Sequence, residues 1–251
     1  MLNSIVCLKK CYIYLTLHGS EIIYLSSVIW KRFFLKILNN AKLIFVNSVF
    51  TKKILKFSGS LSISNNIVLL KPSKFLNFNE KIPLKFSISK LSNINLITVG
   101  RIHFRKGHVF TLNIVKNLSN YCTKLFIYNI VGPNIKNKYN YFLLKISNLI
   151  NTQVVFKQNI SLKGLNKEYL VSDVFVMLSL IYKNSVEGFG LVYSEAGLQK
   201  IPVIASLIGG TNDAVINKYT GFIFYKKEIH KFFKSILLLH KNTNSKLSLG
   251  F

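Results

Sequence analysis

Short runs of β-branched and aromatic residues alternate with longer mixed stretches along the chain. Nine runs predict strands: YIYLTL (12–17), KLIFVN (42–47), NIVLL (66–70), NLITVG (95–100), KLFIYNIVG (124–132), TQVVF (152–156), DVFVML (173–178), IPVIAS (201–206) and GFIFY (221–225). Helical patterning falls at 108–119, 137–150 and 190–200. The runs are apolar on both faces, and strands of that kind separated by helices predict βαβ units and a parallel sheet. The expected class is α/β, doubly wound. The least periodic stretch is 72–93, PSKFLNFNEKIPLKFSISKLSN, which holds two of the four prolines and reads as a linker. The expected domains are a partial Rossmann-like piece over 1–85 and one complete Rossmann-like domain over 86–251.

Composition changes this picture little. The 251 residues are 50% hydrophobic, enough for one large or two modest cores. Thirty-four basic and eight acidic residues give a formal charge of +26. Only Arg32, Arg101 and Arg105 are arginines, and the lysines are scattered over the whole length. A phosphate-reading surface would more often cluster Arg. The charge therefore reads as solvated surface in a chain rich in A/T-codon residues, with no nucleic-acid partner expected. Cys7, Cys11 and Cys122 make no disulfide framework or zinc set, which fits a reducing cytoplasm. No apolar run reaches the ~18 residues of a membrane span, and no signal-peptide pattern is present. VIWKRFFLKIL (28–38) is basic and amphipathic; it fits a core-facing helix and also leaves open a peripheral contact at an inner membrane face.

The candidate chemistry lies at predicted strand C-termini, where ligands bind in open parallel sheets. GRIHFRKGH (100–108) places Gly100 at a turn and gathers Arg101, Arg105 and Lys106, a donor set suited to a phosphate or pyrophosphate. IVGPN (130–134) ends another strand on Gly132 and by itself reads as an ordinary turn. In SVEGFGLVYSE (185–195), Glu187 falls on a loop and Glu195 in the second turn of a helix starting near Gly190. The eight-residue spacing alone is weak, because it arises by chance. The context strengthens it: two carboxylates can face one crevice, and the N–H groups of Phe189, Gly190 and Leu191 lie at a helix start, where anions bind. Gly209-Gly210 makes a further open turn. The two aspartates, Asp173 and Asp213, form no Asp-x-Asp pair for Mg²⁺ or Mn²⁺, so no metal and no cofactor are expected.

Taken together, VGRIHFRKG, IVGP, VEGFGLVYSEAGLQKIPVIASLIGGTNDAV and TGF resemble the donor half of retaining glycosyltransferases of the GT-B fold, the group with the Glu-x7-Glu motif. LTLHGSE (15–21) and AKLIFVNSVFTKKIL (41–55) are similar to the end of that family's acceptor-side domain. The resemblance implies a nucleotide-diphosphate-sugar donor substrate and metal-independent transfer, with retained configuration, to a glycan or lipid-linked acceptor. It implies that Arg101 and Lys106 hold the pyrophosphate, Glu195 the ribose and Glu187 the transferred sugar near the reacting carbon. The Phe189–Leu191 amides would line the sugar and phosphate, while Gly100 and Gly132 would leave room for the nucleotide. His18 would touch the donor sugar; only the resemblance singles it out.

The sequence also departs from the family. Relative to that pattern it opens only 17 residues before the His-Gly step, LLKPSKF (69–75) replaces an Asn-Gly-Val-Asp-like turn, and little follows KFFKSILLLHK. The expectation is a GT-B-like chain with an incomplete N-terminal piece. The alternatives are a non-catalytic nucleotide-sugar-binding remnant, or one half of a split enzyme whose other chain supplies the missing strands.

Overall fold

A computed structural model of the chain turns each of the nine runs into a strand, and every strand pairing is parallel. The structure describes residues 12–23, 28–57, 66–72, 93–121, 126–133, 138–150, 152–183 and 185–225, together with 228 and 231. The three cysteines, nearly all of the expected linker and the segment after 231 lie outside the described residues. Two units are present, Met1–Pro72 and Ser73–Phe251. The boundary expected at 85/86 also falls outside the described residues.

The smaller unit is a three-stranded sheet in the order β1 (Ile13–Leu17), β2 (Ala41–Val46), β3 (Ile67–Leu69). Helices α1 (Ser20–Ile23) and α2 (Val28–Asn40) join the first two strands, and α3 (Val49–Phe57) joins the second to the third. Its core is Leu17, Ile22, Leu38, Ala41, Ile44, Val46, Leu55 and Ile67, with Phe34 and Leu35 of α2 packed against it. Lys31, Arg32 and Lys36 of α2 stay exposed, so this amphipathic helix turns an apolar face to its own core.

The larger unit is a six-stranded sheet ordered β6-β5-β4-β7-β8-β9. The strands are β4 (Ile94–Val99), β5 (Phe126–Gly132), β6 (Gln153–Gln158), β7 (Val174–Met177), β8 (Val203–Ser206) and β9 (Gly221–Phe224). The chain starts at the centre, builds outward to β6, returns to lay β7 beside β4, and then builds the other way. That is the doubly wound order, whose switch point lies between β4 and β7. Leu96 and Ile97 pair there with Val174 and Phe175.

Burial on both faces explains the unbroken apolar runs. Ile94, Leu96, Val174, Val176 and Ile204 point into one core with α4 (His108–Tyr121) and α5 (Lys138–Ser147). The alternate residues Ile97, Val99, Phe175, Met177, Val203 and Ala205 point into the other, with Tyr169 of α6 (Leu162–Leu170) and Tyr193 and Ala196 of α7 (Leu191–Leu198). The short α8 (Thr211–Ala214) follows β8. Among the described residues no helix is long and apolar enough to cross a membrane.

One buried titratable group in this core sets an acid limit on stability. His108 is fully buried at the start of α4, with Nδ1 3.4 Å from the Tyr128 hydroxyl. Burial pushes its pKa down to about 4. The folded state therefore resists a proton that the unfolded chain accepts near the ordinary histidine value, and stability falls as pH drops from about 6.5 to about 4 and then levels. The loss is about 3 kcal/mol. Thermal melts across this window are expected to show it in the wild type and a shallower slope in His108→Gln. An equal slope in both would remove His108 as the cause.

Candidate active site

The loops that leave β4 and β7 emerge side by side, because these strands are neighbours at the switch point. After β4 the chain passes Gly100 and enters a 3-10 turn over Phe104–Lys106. His103 caps this turn, its Nδ1 accepting from the Arg105 N–H at 3.2 Å. Gly107 closes it in the left-handed region, donating to the Phe104 carbonyl. This geometry buries the side chains of Arg105 and Lys106 and leaves Arg101 exposed. The Arg105 carbonyl accepts from Leu180 N–H at 2.7 Å, which ties the turn to the loop after β7. The rings of Phe104 and Tyr182 sit 5.1 Å apart across the same two segments.

Glu187 lies on the loop after β7, and only 7% of it is exposed. One of its oxygens, Oε2, accepts from Lys106 Nζ at 2.7 Å, from an Arg105 guanidinium nitrogen at 3.0 Å and from the Ser179 hydroxyl at 3.2 Å. Burial alone would raise the Glu187 pKa, but the Lys106 and Arg105 cations outweigh it and hold the carboxyl below its ordinary value. Burial pushes Lys106 below its usual value, against the pull of Glu187. The main chain of Glu187 is fixed as well: its carbonyl accepts from Gly210 N–H at 2.9 Å. Gly209, at φ +61°, makes this close approach possible, since a Cβ there would lie 2.0 Å from that carbonyl oxygen.

Gly190 caps α7 in the left-handed region at φ +88°, where a Cβ would meet the Tyr193 ring at 2.4 Å. Phe189 is buried and Leu191 is exposed on either side of it. Glu195, in the second turn of α7, is also buried, and its Oε2 accepts from the Tyr169 hydroxyl at 3.1 Å. Gly132 ends β5 against the loop after β4, where Gly100 N–H donates to the Val131 carbonyl at 2.9 Å.

The structure thus joins Lys106 and Glu187 directly and places Gly100, Gly132, Phe189, Gly190 and Leu191 on the segments around them. Glu195 belongs to a separate hydrogen-bonded set with Tyr169. His18 belongs to the smaller unit, where its N–H donates to the Glu21 carboxylate. Ser179 and Tyr169 are the members that sequence reasoning did not assign, and Arg105, read from sequence as one of three phosphate donors, is instead paired with Glu187. Arg105 stood in the same basic loop, and Ser179 follows the predicted strand 173–178; nothing in the sequence marked Tyr169. Among the described residues no three His, Cys, Asp or Glu side chains group as metal ligands.

A family model described as glycosyl transferases group 1 matches residues 83–250. An uncharacterized glycosyltransferase of Methanocaldococcus jannaschii is 24% identical over 242 residues, 94% of this chain and 60% of that protein. An uncharacterized 41.2 kDa protein from the cps region of Klebsiella pneumoniae is 28% identical over 138 residues, 55% of this chain and 34% of that one. The chain therefore spans less than two thirds of either relative. Among solved structures, Anabaena HepE in complex with UDP and glucose matches with a TM-score of 0.75 at 19% identity, covering 95% of this chain and 64% of HepE. Sucrose-phosphate synthase from Thermosynechococcus elongatus matches with a TM-score of 0.71 at 19% identity, covering 98% and 63%.

Proposed function

The chain belongs to the group 1 glycosyl transferases, whose GT-B architecture it shares, and from that premise we propose that its larger unit binds a nucleotide-diphosphate sugar for glycosyl transfer. The observation that carries the reading is the buried meeting of Lys106 with Glu187 at the switch point between β4 and β7. Ligands sit in that crevice in open α/β sheets. A cation there can take a diphosphate, and a carboxylate beside it can accept sugar hydroxyls.

In this reading Lys106 and exposed Arg101 neutralise the charge that develops on the departing diphosphate, assisted by the first-turn amides of α7 near Gly190. No metal is then needed for that charge. Glu187 holds the transferred sugar near the reacting carbon, and Glu195 accepts from the ribose hydroxyls. Retention of configuration, a glycan or lipid-linked acceptor and a part for His18 complete the proposal; these rest on the family resemblance. The UDP complex of HepE makes UDP-sugars the first donors to try.

The test is to incubate the chain with UDP-, GDP- and ADP-sugars and follow release of the nucleoside diphosphate. Release that depends on Glu187 is expected. Binding without release would remove transfer by this chain and leave nucleotide-sugar binding; no binding at all would remove the reading.

Tyr169 gives the ribose assignment its own check. Its hydroxyl donates to one oxygen of a buried carboxylate, so Tyr169→Phe removes a charge-assisted hydrogen bond that helps to place Glu195. Nucleoside-diphosphate affinity is expected to fall about tenfold, the size of one such bond. Equal losses for the nucleoside diphosphate and for inorganic pyrophosphate, measured calorimetrically, would contradict a ribose role.

A further inference from the structure

Glu187 has more counter-charge than one carboxylate needs. Two buried cations and a hydroxyl converge on its Oε2, so the cluster of Arg105, Lys106 and Glu187 carries one surplus positive charge. Both cations are held through the main chain: Arg105 N–H donates to His103 Nδ1 and its carbonyl accepts from Leu180 N–H, while Lys106 N–H donates to the His103 carbonyl at 2.9 Å. They differ at the side-chain end. The Lys106 ammonium lies beside the open turn, 3.9 Å from where a Cβ on Gly100 would stand. An anion arriving at the β4 strand end would meet Lys106 at Gly100 and draw it off Glu187. A buried carboxylate stripped of its partner is strongly disfavoured unless another cation remains.

We propose that Arg105 is the standing counter-ion of Glu187, a positioning residue that holds the carboxylate charged and in place when a diphosphate takes Lys106. This inference rests on the donor-site reading. Lys106, beside Gly100, is the cation the diphosphate reaches, and Arg105 the one left on the carboxylate. The ion pair of the empty site then becomes the diphosphate contact of the loaded one without a bare carboxylate in between. Ser179 stays as the neutral third donor, and Tyr193 of α7 also senses Glu187: burial, and after it the carboxylate, push its phenol up.

The test is a double-mutant cycle read by calorimetric titration with the tightest-binding of UDP, GDP, ADP and CDP. Arg105→Gln is expected to weaken binding about tenfold or more, because diphosphate binding must then strip Glu187 of its last cation. Arg105→Lys is expected to restore affinity to within about threefold. In a Glu187→Gln background there is no carboxylate to strand, so adding Arg105→Gln is expected to change affinity by less than about threefold. Equal losses in both backgrounds would mean that Arg105 touches the ligand itself and would overturn the proposal, as would no loss in either. If Arg105→Gln fails to fold alone, Glu187→Gln and Glu187→Gln/Arg105→Gln carry the test, and a tenfold difference between them overturns it. A wild type that binds none of the four nucleotides would remove the donor-site reading and this inference with it. Intact binding with the wrong coupling removes only this inference.

Discussion

Glu187→Gln is expected to lower donor turnover about 10³-fold while nucleoside-diphosphate affinity holds or tightens. The two halves of this result have one cause. The carboxylate is the sole anion of the cluster, and it engages both Lys106 and Arg105 through Oε2. The amide keeps the side chain's shape but removes the charge that, in the proposed role, holds the transferred sugar near its reacting carbon. Losing one such preorganised group costs about 10²–10³ in rate. Lys106 is at the same time released from its ion pair and meets a diphosphate without competition. The empty variant carries two buried, uncompensated cations and is expected to melt earlier, with UDP restoring more of its stability than it does in the wild type. Turnover within tenfold of wild type would contradict the assignment of Glu187.

Gly209→Ala is expected to have the second large effect, on stability and turnover together. No polar group is removed. Residue 209 sits at φ +61°, and the added methyl would stand 2.0 Å from the Glu187 carbonyl oxygen and 2.9 Å from Val186. The backbone must move, and what it moves is the segment that presents Glu187, since Gly210 N–H holds that same carbonyl. Strain of this kind costs about 1–3 kcal/mol before the clash is added, so Tm should fall by about 5–10 °C. Turnover should fall with it, because a small displacement of a catalytic group is costly. Gly164→Ala is the control. A Cβ there meets only ordinary contacts, 3.4 Å to Ser161 and 3.5 Å to Ile160, within helix α6. It should be neutral or slightly stabilising. If the two substitutions melt alike, the Gly209 argument fails.

All nine strands were legible because each is a run of β-branched and aromatic residues, which the sheet buries on both faces in the central strands β4, β7 and β8. The α7 start at Leu191 was legible from the glycine before it. The strand order was not, because pairing β4 with β7 brings Leu96 against Val174, and no local pattern encodes such a distant partner. Helices α3 and α6 were not singled out, since VFTKKILKF and LKGLNKEYL are short and interrupted by lysines.

The basic loop shows the same limit at the site. In sequence, Arg101, Arg105 and Lys106 are three equivalent cations. The 3-10 turn and Gly107 separate them, turning Arg105 and Lys106 inward to Glu187 and leaving Arg101 in solvent. The Tyr169 hydroxyl on Glu195 is a tertiary contact between α6 and α7 with no trace in spacing.

The central claim is that Lys106, poised at the β4–β7 switch point, receives a diphosphate. Calorimetric titration of UDP, GDP and ADP into the wild type and into Lys106→Ala tests it most directly. At least one nucleotide should bind the wild type, and its affinity should fall at least about thirtyfold in Lys106→Ala, as expected when a buried charge-assisted contact to phosphate is lost. Equal affinity in the two proteins, or no binding to the wild type, would contradict the account.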